Sequence, residues 1–140
     1  MKTITFLRHS KSSWDYNVTD IDRPLKQFGI EKIEKIADQS KEQFVSTEKF
    51  FTSPANRAIH TCLILLRRLS LDTDKISVCE DLYTFSYNEV LEFIREIDNS
   101  YSNITLVGHN PAYTEISNYF CDNKIPVSYT HLTLPTNREV

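Results

Sequence analysis

The sequence predicts one α/β domain, a three-layer α/β/α sandwich with a mostly parallel central sheet. Two observations carry that expectation. Short strand-like runs and amphipathic helical runs alternate four times, which is the pattern of a parallel sheet covered by helices on both faces. The 140 residues are 40% hydrophobic and 25% charged, an ordinary globular composition. A chain of this length buries roughly two-thirds of its unfolded surface in one core without metals or disulfides.

The elements follow in order. Thr3-Ile4-Thr5-Phe6-Leu7 is a first strand, short and rich in β-branched and aromatic residues. Pro24-Leu25 opens a helical stretch in which Ile30, Ile33, Ala37, Ser40 and Phe44 recur at intervals of three and four. Lys49-Phe50-Phe51-Thr52 is a second strand, and Ser53-Pro54 follows as N-cap and first helical residue of a helix running through Leu69. Lys75 to Cys79 is a third strand. Ser86 and Glu89 have the spacing of a capping box ahead of Val90, Leu91, Ile94 and Ile97. Ile104-Thr105-Leu106-Val107 is the fourth strand, with Asn110 as cap and Pro111 as first residue of a last helix carrying Ile116 and Phe120.

The tail differs. Residues 125–140 show neither clean alternation nor a helical stripe, where one more strand is expected. The stretch resembles translated adapter sequence found at the ends of unrelated reading frames. The reading is a domain over 1–124 and a tail of doubtful origin over 125–140, on a sheet truncated at its C-terminal end and left with an open edge.

Composition excludes several function classes. Sixteen basic against nineteen acidic residues leave a net charge of −3, so no global basic field recruits nucleic acid or an acidic membrane. No apolar run approaches the roughly 20 residues of a membrane span. Cys62, Cys79 and Cys121 are odd in number and lack close metal-ligand spacing, which points to reduced core thiols in a cytoplasmic protein. With only Gly29 and Gly108, glycine-rich phosphate loops are absent.

Chemistry gathers at two strand exits. Leu7-Arg8-His9-Ser10 closes the first strand and Val107-Gly108-His109-Asn110-Pro111 closes the fourth, where a parallel sheet places its ligand. Arg57 lies one turn inside the helix after the second strand and can point back to the same edge. Two arginines and two histidines thus converge on one small anion: arginine bonds phosphate oxygens bidentately, and a neutral imidazole nitrogen attacks phosphorus. His60 and His131 read as satisfied residues outside this set, and Gly108 as a point of close backbone approach. Lys11, Ser12, Ser13 and Trp14 are either part of the pocket mouth or a polar loop with one packed aromatic.

The ordered words Leu7-Arg8-His9-Ser10-Lys11-Ser12-Ser13-Trp14, Asp22-Arg23-Pro24-Leu25, Ser53-Pro54-Ala55-Asn56-Arg57-Ala58 and Val107-Gly108-His109-Asn110-Pro111 are more specific. Together they resemble the histidine phosphatase (phosphoglycerate-mutase-like) superfamily, most closely its SixA-type phosphohistidine phosphatase branch, over about residues 1 to 121. The resemblance implies that Arg8, His9, Arg57 and His109 form the phosphate pocket and that His9 becomes phosphorylated. Arg23 matches a family motif and stands as a substrate-binding candidate, although Asp22 offers it a local salt bridge. Many superfamily members carry an acidic proton donor after the third strand. Here the segment reads Cys79-Glu80-Asp81-Leu82-Tyr83, where Glu80 and Asp81 are candidates by location only.

The expectation is therefore a phosphatase without metal or other cofactor. It acts through phosphohistidine on His9, with protein phosphohistidine as the favoured substrate because the short chain leaves no room for a lid. A small-molecule phosphomonoesterase of the same mechanism, and a non-catalytic phosphate- or phosphoprotein-binding module, are the alternatives. The partner is accordingly a phosphorylated protein or a small phosphorylated substrate.

Overall fold

The computed structural model describes residues 2–120 and the strand at 131–136. Five strands form one sheet: β1 (Lys2–Arg8), β2 (Lys49–Thr52), β3 (Ile76–Val78), β4 (Asn103–Gly108) and β5 (His131–Thr136). Their spatial order is β3-β2-β4-β1-β5. The first four are mutually parallel, and β5 lies antiparallel on β1. The helices are α1 (Gln27–Gln39), α2 (Lys41–Val45), α3 (Asn56–Arg68), α4 (Tyr87–Glu96) and α5 (Ala112–Phe120).

Strand alternation assigns the layers, because successive side chains point to opposite faces. Ile4 and Phe6 of β1 join Ile104 and Leu106 of β4 in a core with Val90, Leu91 and Ile94 of α4 and Ala112, Tyr113 and Ile116 of α5. Leu7, Phe50 and Val107 face the other way, onto Ile33, Ile36 and Ala37 of α1 and Ala58, Cys62, Leu65 and Leu66 of α3. The three-layer architecture with a mostly parallel sheet is thus present. Among the described residues, no helix is long and apolar enough to cross a membrane.

Several local expectations are corrected. The expected open edge of β1 is covered by β5, whose residues pair from Lys2↔Thr136 to Leu7↔His131. His131 consequently stands in a strand and His60 in α3. The rest of the 125–140 reading, the 124/125 boundary and Cys121 lie outside the described residues. The stretch after Pro24 is two helices rather than one: Leu25 bridges Ser12, α1 starts at Gln27, and Ser40 separates α1 from α2. Helix α3 starts at Asn56, with Ser53 Oγ instead accepting the Ala55 N–H at 3.2 Å. Ser86 is the N-cap of α4, but no capping box forms. The backbone N–H that Glu89 would accept is already bonded to Thr84 Oγ1 at 3.1 Å. Helix α5 begins at Ala112, and Asn110 Oδ1 accepts both the Thr114 backbone N–H and its hydroxyl at 3.1 Å.

Parallel pairing brings the strand exits together. β4 lies between β1 and β2, and Arg8 is in register with Gly108. The ladder continues past both strand ends, with His9 N–H donating to Gly108 O at 3.0 Å and Ser53 N–H to Val107 O at 2.9 Å. His9, His109 and Ser53 thereby leave neighbouring strands side by side. The two glycines admit close contacts here. A Cβ on Gly108 would lie 2.5 Å from Tyr113 Oη, and one on Gly29 would lie 2.3 Å from the Lys11 carbonyl oxygen. The segment after His9 is therefore packed down on α1, where Ser10 Oγ donates to Gly29 O at 2.6 Å.

Candidate active site

A cavity of about 570 Å³ opens at the carboxyl ends of the parallel strands. Arg8, His9, Arg23 and Arg57 all line it. Among the described residues its wall carries six cations (Arg8, Lys11, Arg23, Lys26, Lys32 and Arg57) against the single carboxylate of Asp20. The chain as a whole carries a net −3. Such a concentrated positive field focuses anions on one cleft of an acidic protein.

His9 has a defined tautomer. Its Nδ1 lies 2.8 Å from Ser10 O, a pure acceptor, so Nδ1 carries the proton. Nε2 is then an acceptor, and Arg57 Nε donates to it at 3.3 Å. Arg57 is 1% exposed and is held from two further sides. Its Nη1 donates to Asp20 O at 2.6 Å, and its Nη2 to Asp20 Oδ2 at 3.0 Å and His109 Nδ1 at 3.4 Å. A guanidinium has only donors, so His109 Nδ1 accepts and Nε2–H donates to Ser53 Oγ at 2.8 Å. His109 does not line the cavity. It stands behind the wall with its ring 5.3 Å from that of His9 and against Tyr83 and Phe85.

Both imidazoles are held neutral. Burial is the main cause for His9, opposed by its bond to the Ser10 carbonyl and reinforced by Arg57 and Arg8, and the result is a pKa of about 4. Burial, then the neighbouring His9 and Arg57, takes His109 to about 3. An unfolded histidine titrates near 6.5, so between that value and about 4 the unfolded chain binds more protons than the folded one. Stability is then greatest above pH 6.5 and falls as pH drops toward 4. The melting temperature is expected to be lower at pH 5 than at pH 7.5, with a smaller drop in a His9→Gln variant. A flat profile would contradict the buried neutral imidazoles.

Arg8 is half-buried, and its Nε is buried with no acceptor among the described residues. Arg23 Nε is in the same condition, while its other nitrogens reach Ser12 Oγ and Asp20 Oδ1, the latter at 3.4 Å. Its guanidinium lies 3.8 Å over the Trp14 ring. The ion pair of Arg23 is with Asp20, not with Asp22, whose Oδ2 accepts the Thr19 hydroxyl. Glu80 and Asp81 follow β3 as expected, but both are exposed and neither lines the cavity. Lys11, Ser12 and Trp14 belong to the cavity wall. Cys62 is buried in the α3 core, its thiol pushed up to about 12 by burial.

The sequence reading missed Asp20, Tyr83 and Ser53 as partners of the site. Asp20 Oδ2 accepts the Tyr83 hydroxyl at 2.6 Å across 63 positions of sequence.

Residues 4–103 match the family model described as histidine phosphatase superfamily (branch 1). A solved structure from Agrobacterium tumefaciens, provisionally assigned as the phosphohistidine phosphatase SixA, is similar at 25% identity and a TM-score of 0.75. That match covers 85% of this chain and 76% of the other. The protein histidine phosphatase SixA complexed with tungstate is similar at 22% identity and a TM-score of 0.77, covering 91% and 82%. The alpha-ribazole phosphatase from Shigella flexneri shares the fold at 17% identity and a TM-score of 0.65, covering 84% and 79%. A search of curated proteins gave no match.

Proposed function

This chain belongs to the histidine phosphatase superfamily and is a phosphatase, and from that premise we propose that it hydrolyses protein phosphohistidine through a phosphohistidine formed on its own His9. The observation that carries this reading is the state of His9. Its Nδ1 proton is tied to the Ser10 carbonyl, so the Nε2 lone pair faces a wall of guanidiniums.

In the first step His9 Nε2 attacks phosphorus in line, and the bond from phosphorus to the leaving imidazole breaks. Arg8, Arg23 and Arg57 hold the phosphoryl oxygens, whose charge is where transfer is most helped by fixed donors. Arg8 Nε and Arg23 Nε are buried N–H donors with no acceptor among the described residues, and phosphoryl oxygens would satisfy both. His109 acts from behind, through its contacts with Arg57 and the His9 ring. In the second step water attacks the phosphorus of His9, inorganic phosphate leaves, and the neutral imidazole returns.

What the wall offers as a proton donor supports an imidazole leaving group. Among the described residues Asp20 is its only carboxylate, held anionic at about 2, chiefly by the Tyr83 hydroxyl and then by Arg57 and Arg23. A leaving imidazole takes its proton from water near neutral pH, whereas a departing alkoxide depends far more on a positioned acid. That difference favours phosphohistidine over a phosphate monoester. The guanidiniums supply the positive charge that a divalent cation would bring, so the reaction needs no metal. A cytoplasmic setting suits such a substrate.

Phosphate release should be measured from a phosphohistidine-bearing protein domain and from a panel of sugar phosphates, in excess chelator. The expected result is faster, chelator-resistant release from the phosphohistidine protein. Saturation by sugar phosphates alone would point to the small-molecule enzyme. Binding of phosphoproteins without turnover would point to a recognition module. Activity lost in chelator and restored by one metal would defeat metal independence.

A further inference from the structure

Asp20 is a carboxylate in a wall of cations, and the reaction above gives it no step. It stands on a short 3-10 turn, Asp20–Asp22, with its side chain 43% exposed. Its Oδ2 accepts from Arg57 Nη2 at 3.0 Å and from the Tyr83 hydroxyl at 2.6 Å, and its Oδ1 from Arg23 Nη2 at 3.4 Å. A phosphoryl group would present the same kind of oxygens to the same two guanidiniums. We propose that the Asp20 carboxylate is an internal surrogate for the substrate's phosphoryl group, holding Arg57 and Arg23 while the cavity is empty and giving them up when a phosphoryl anion binds.

Three features support this. The Arg57 side chain is buried, and a buried guanidinium without a counter-anion is costly, so the empty site needs an anion there. Arg57 is also tied to the Asp20 backbone carbonyl at 2.6 Å, so it stays aimed at the cavity after the carboxylate leaves. Finally, Asp20 is ionised at neutral pH and would repel a phosphoryl dianion at the same nitrogens, so the two cannot share them. Displacement weakens anion binding and, by the same exchange, helps expel product phosphate. Asp20 is thus a positioning residue that sets affinity, not a proton donor.

This inference rests on the cavity being a phosphoryl site, and the test separates the two. Inorganic phosphate and tungstate are titrated calorimetrically into the full wild-type chain, Asp20→Asn and Tyr83→Phe. Asp20→Asn is expected to bind both anions about tenfold tighter or more, the size of one lost charge-assisted bond. Tyr83→Phe removes a bond that anchors the carboxylate and should shift affinity the same way, by less. In turnover, KM should fall for Asp20→Asn without a rise in kcat. If wild type binds neither anion, the phosphoryl-site reading fails, and this inference with it. If wild type binds and Asp20→Asn binds equally or more weakly, Asp20 is only a structural clamp and the inference alone is overturned. Should Asp20→Asn fail to fold, unchanged or weaker binding by Tyr83→Phe overturns it equally.

Discussion

Replacing His9 by alanine is expected to eliminate the phosphoenzyme and to lower turnover on the order of ten-thousandfold or more, as loss of a covalent nucleophile does. Among the described residues nothing else in the cavity wall replaces it. The wall's remaining groups are cations, hydroxyls, an amide, two aromatic rings and an ionised carboxylate already bonded to Arg57, Arg23 and Tyr83. His109 has the right chemistry but lies behind the wall, with Nδ1 facing Arg57 and Nε2 on Ser53. The fold should survive, because His9 is half-buried and its side chain makes local bonds to Ser10 and Arg57. Rapid quench at alkaline pH, followed by peptide mapping, should find an acid-labile phosphate on His9 in wild type and none in the variant. Substantial turnover by His9→Ala would remove the covalent mechanism.

What could be read from the sequence was set by local physics. Ile4 and Phe6 alternate with Thr5 and Leu7, and the two faces of β1 do bury in different cores. Because parallel strands deliver their exits to one edge, the sequence alone places Arg8-His9 and Gly108-His109 together. Arg57 was legible as a residue near the start of the helix after β2, although α3 begins at Asn56 and Arg57 is its second residue, not one turn inside. What was not legible is long-range. Asp20 lies in an aperiodic stretch between Trp14 and Asp22, and its partners Arg57 and Tyr83 are 37 and 63 positions away. Arg23 had a nearer candidate in Asp22, yet the 3-10 turn puts Asp20 within reach and leaves Asp22 on Thr19. Ser53 read as a helix cap because Ser-Pro before a helix usually is one. Here the His109 imidazole engages the same hydroxyl, and the helix begins three residues later. The pairing of β5 was hidden because Pro135 interrupts its text, although proline is tolerated at a sheet edge.

Arg57→Ala is the second large effect, expected to lower turnover by at least about a hundredfold, the usual cost of one lost electrostatic donor in an enclosed site. This side chain is a shared node: Nε meets His9 Nε2, Nη1 the Asp20 carbonyl, and Nη2 both the Asp20 carboxylate and His109 Nδ1. A lysine keeps the charge but offers one point in place of this fork, so Arg57→Lys should recover little of the loss. The pH dependence supplies an independent readout. Arg57 is one of the cations that hold His9 and His109 low, so its removal lets both histidine pKa values rise from about 4 and about 3. A protonated His9 cannot attack phosphorus, so the acid limb of the rate profile should move to higher pH in Arg57→Ala. On the carboxylate side, Asp20 loses one of the bonds that keep it ionised, so its pKa rises as well. Stability contributed by its lowered folded pKa is present above the ordinary carboxylate range and lost as pH falls toward 2, so the variant gives up part of that contribution. A hundredfold loss with an unmoved acid limb would mean that Arg57 serves only the phosphoryl oxygens. Near-normal turnover together with an unmoved limb would take Arg57 out of the site altogether.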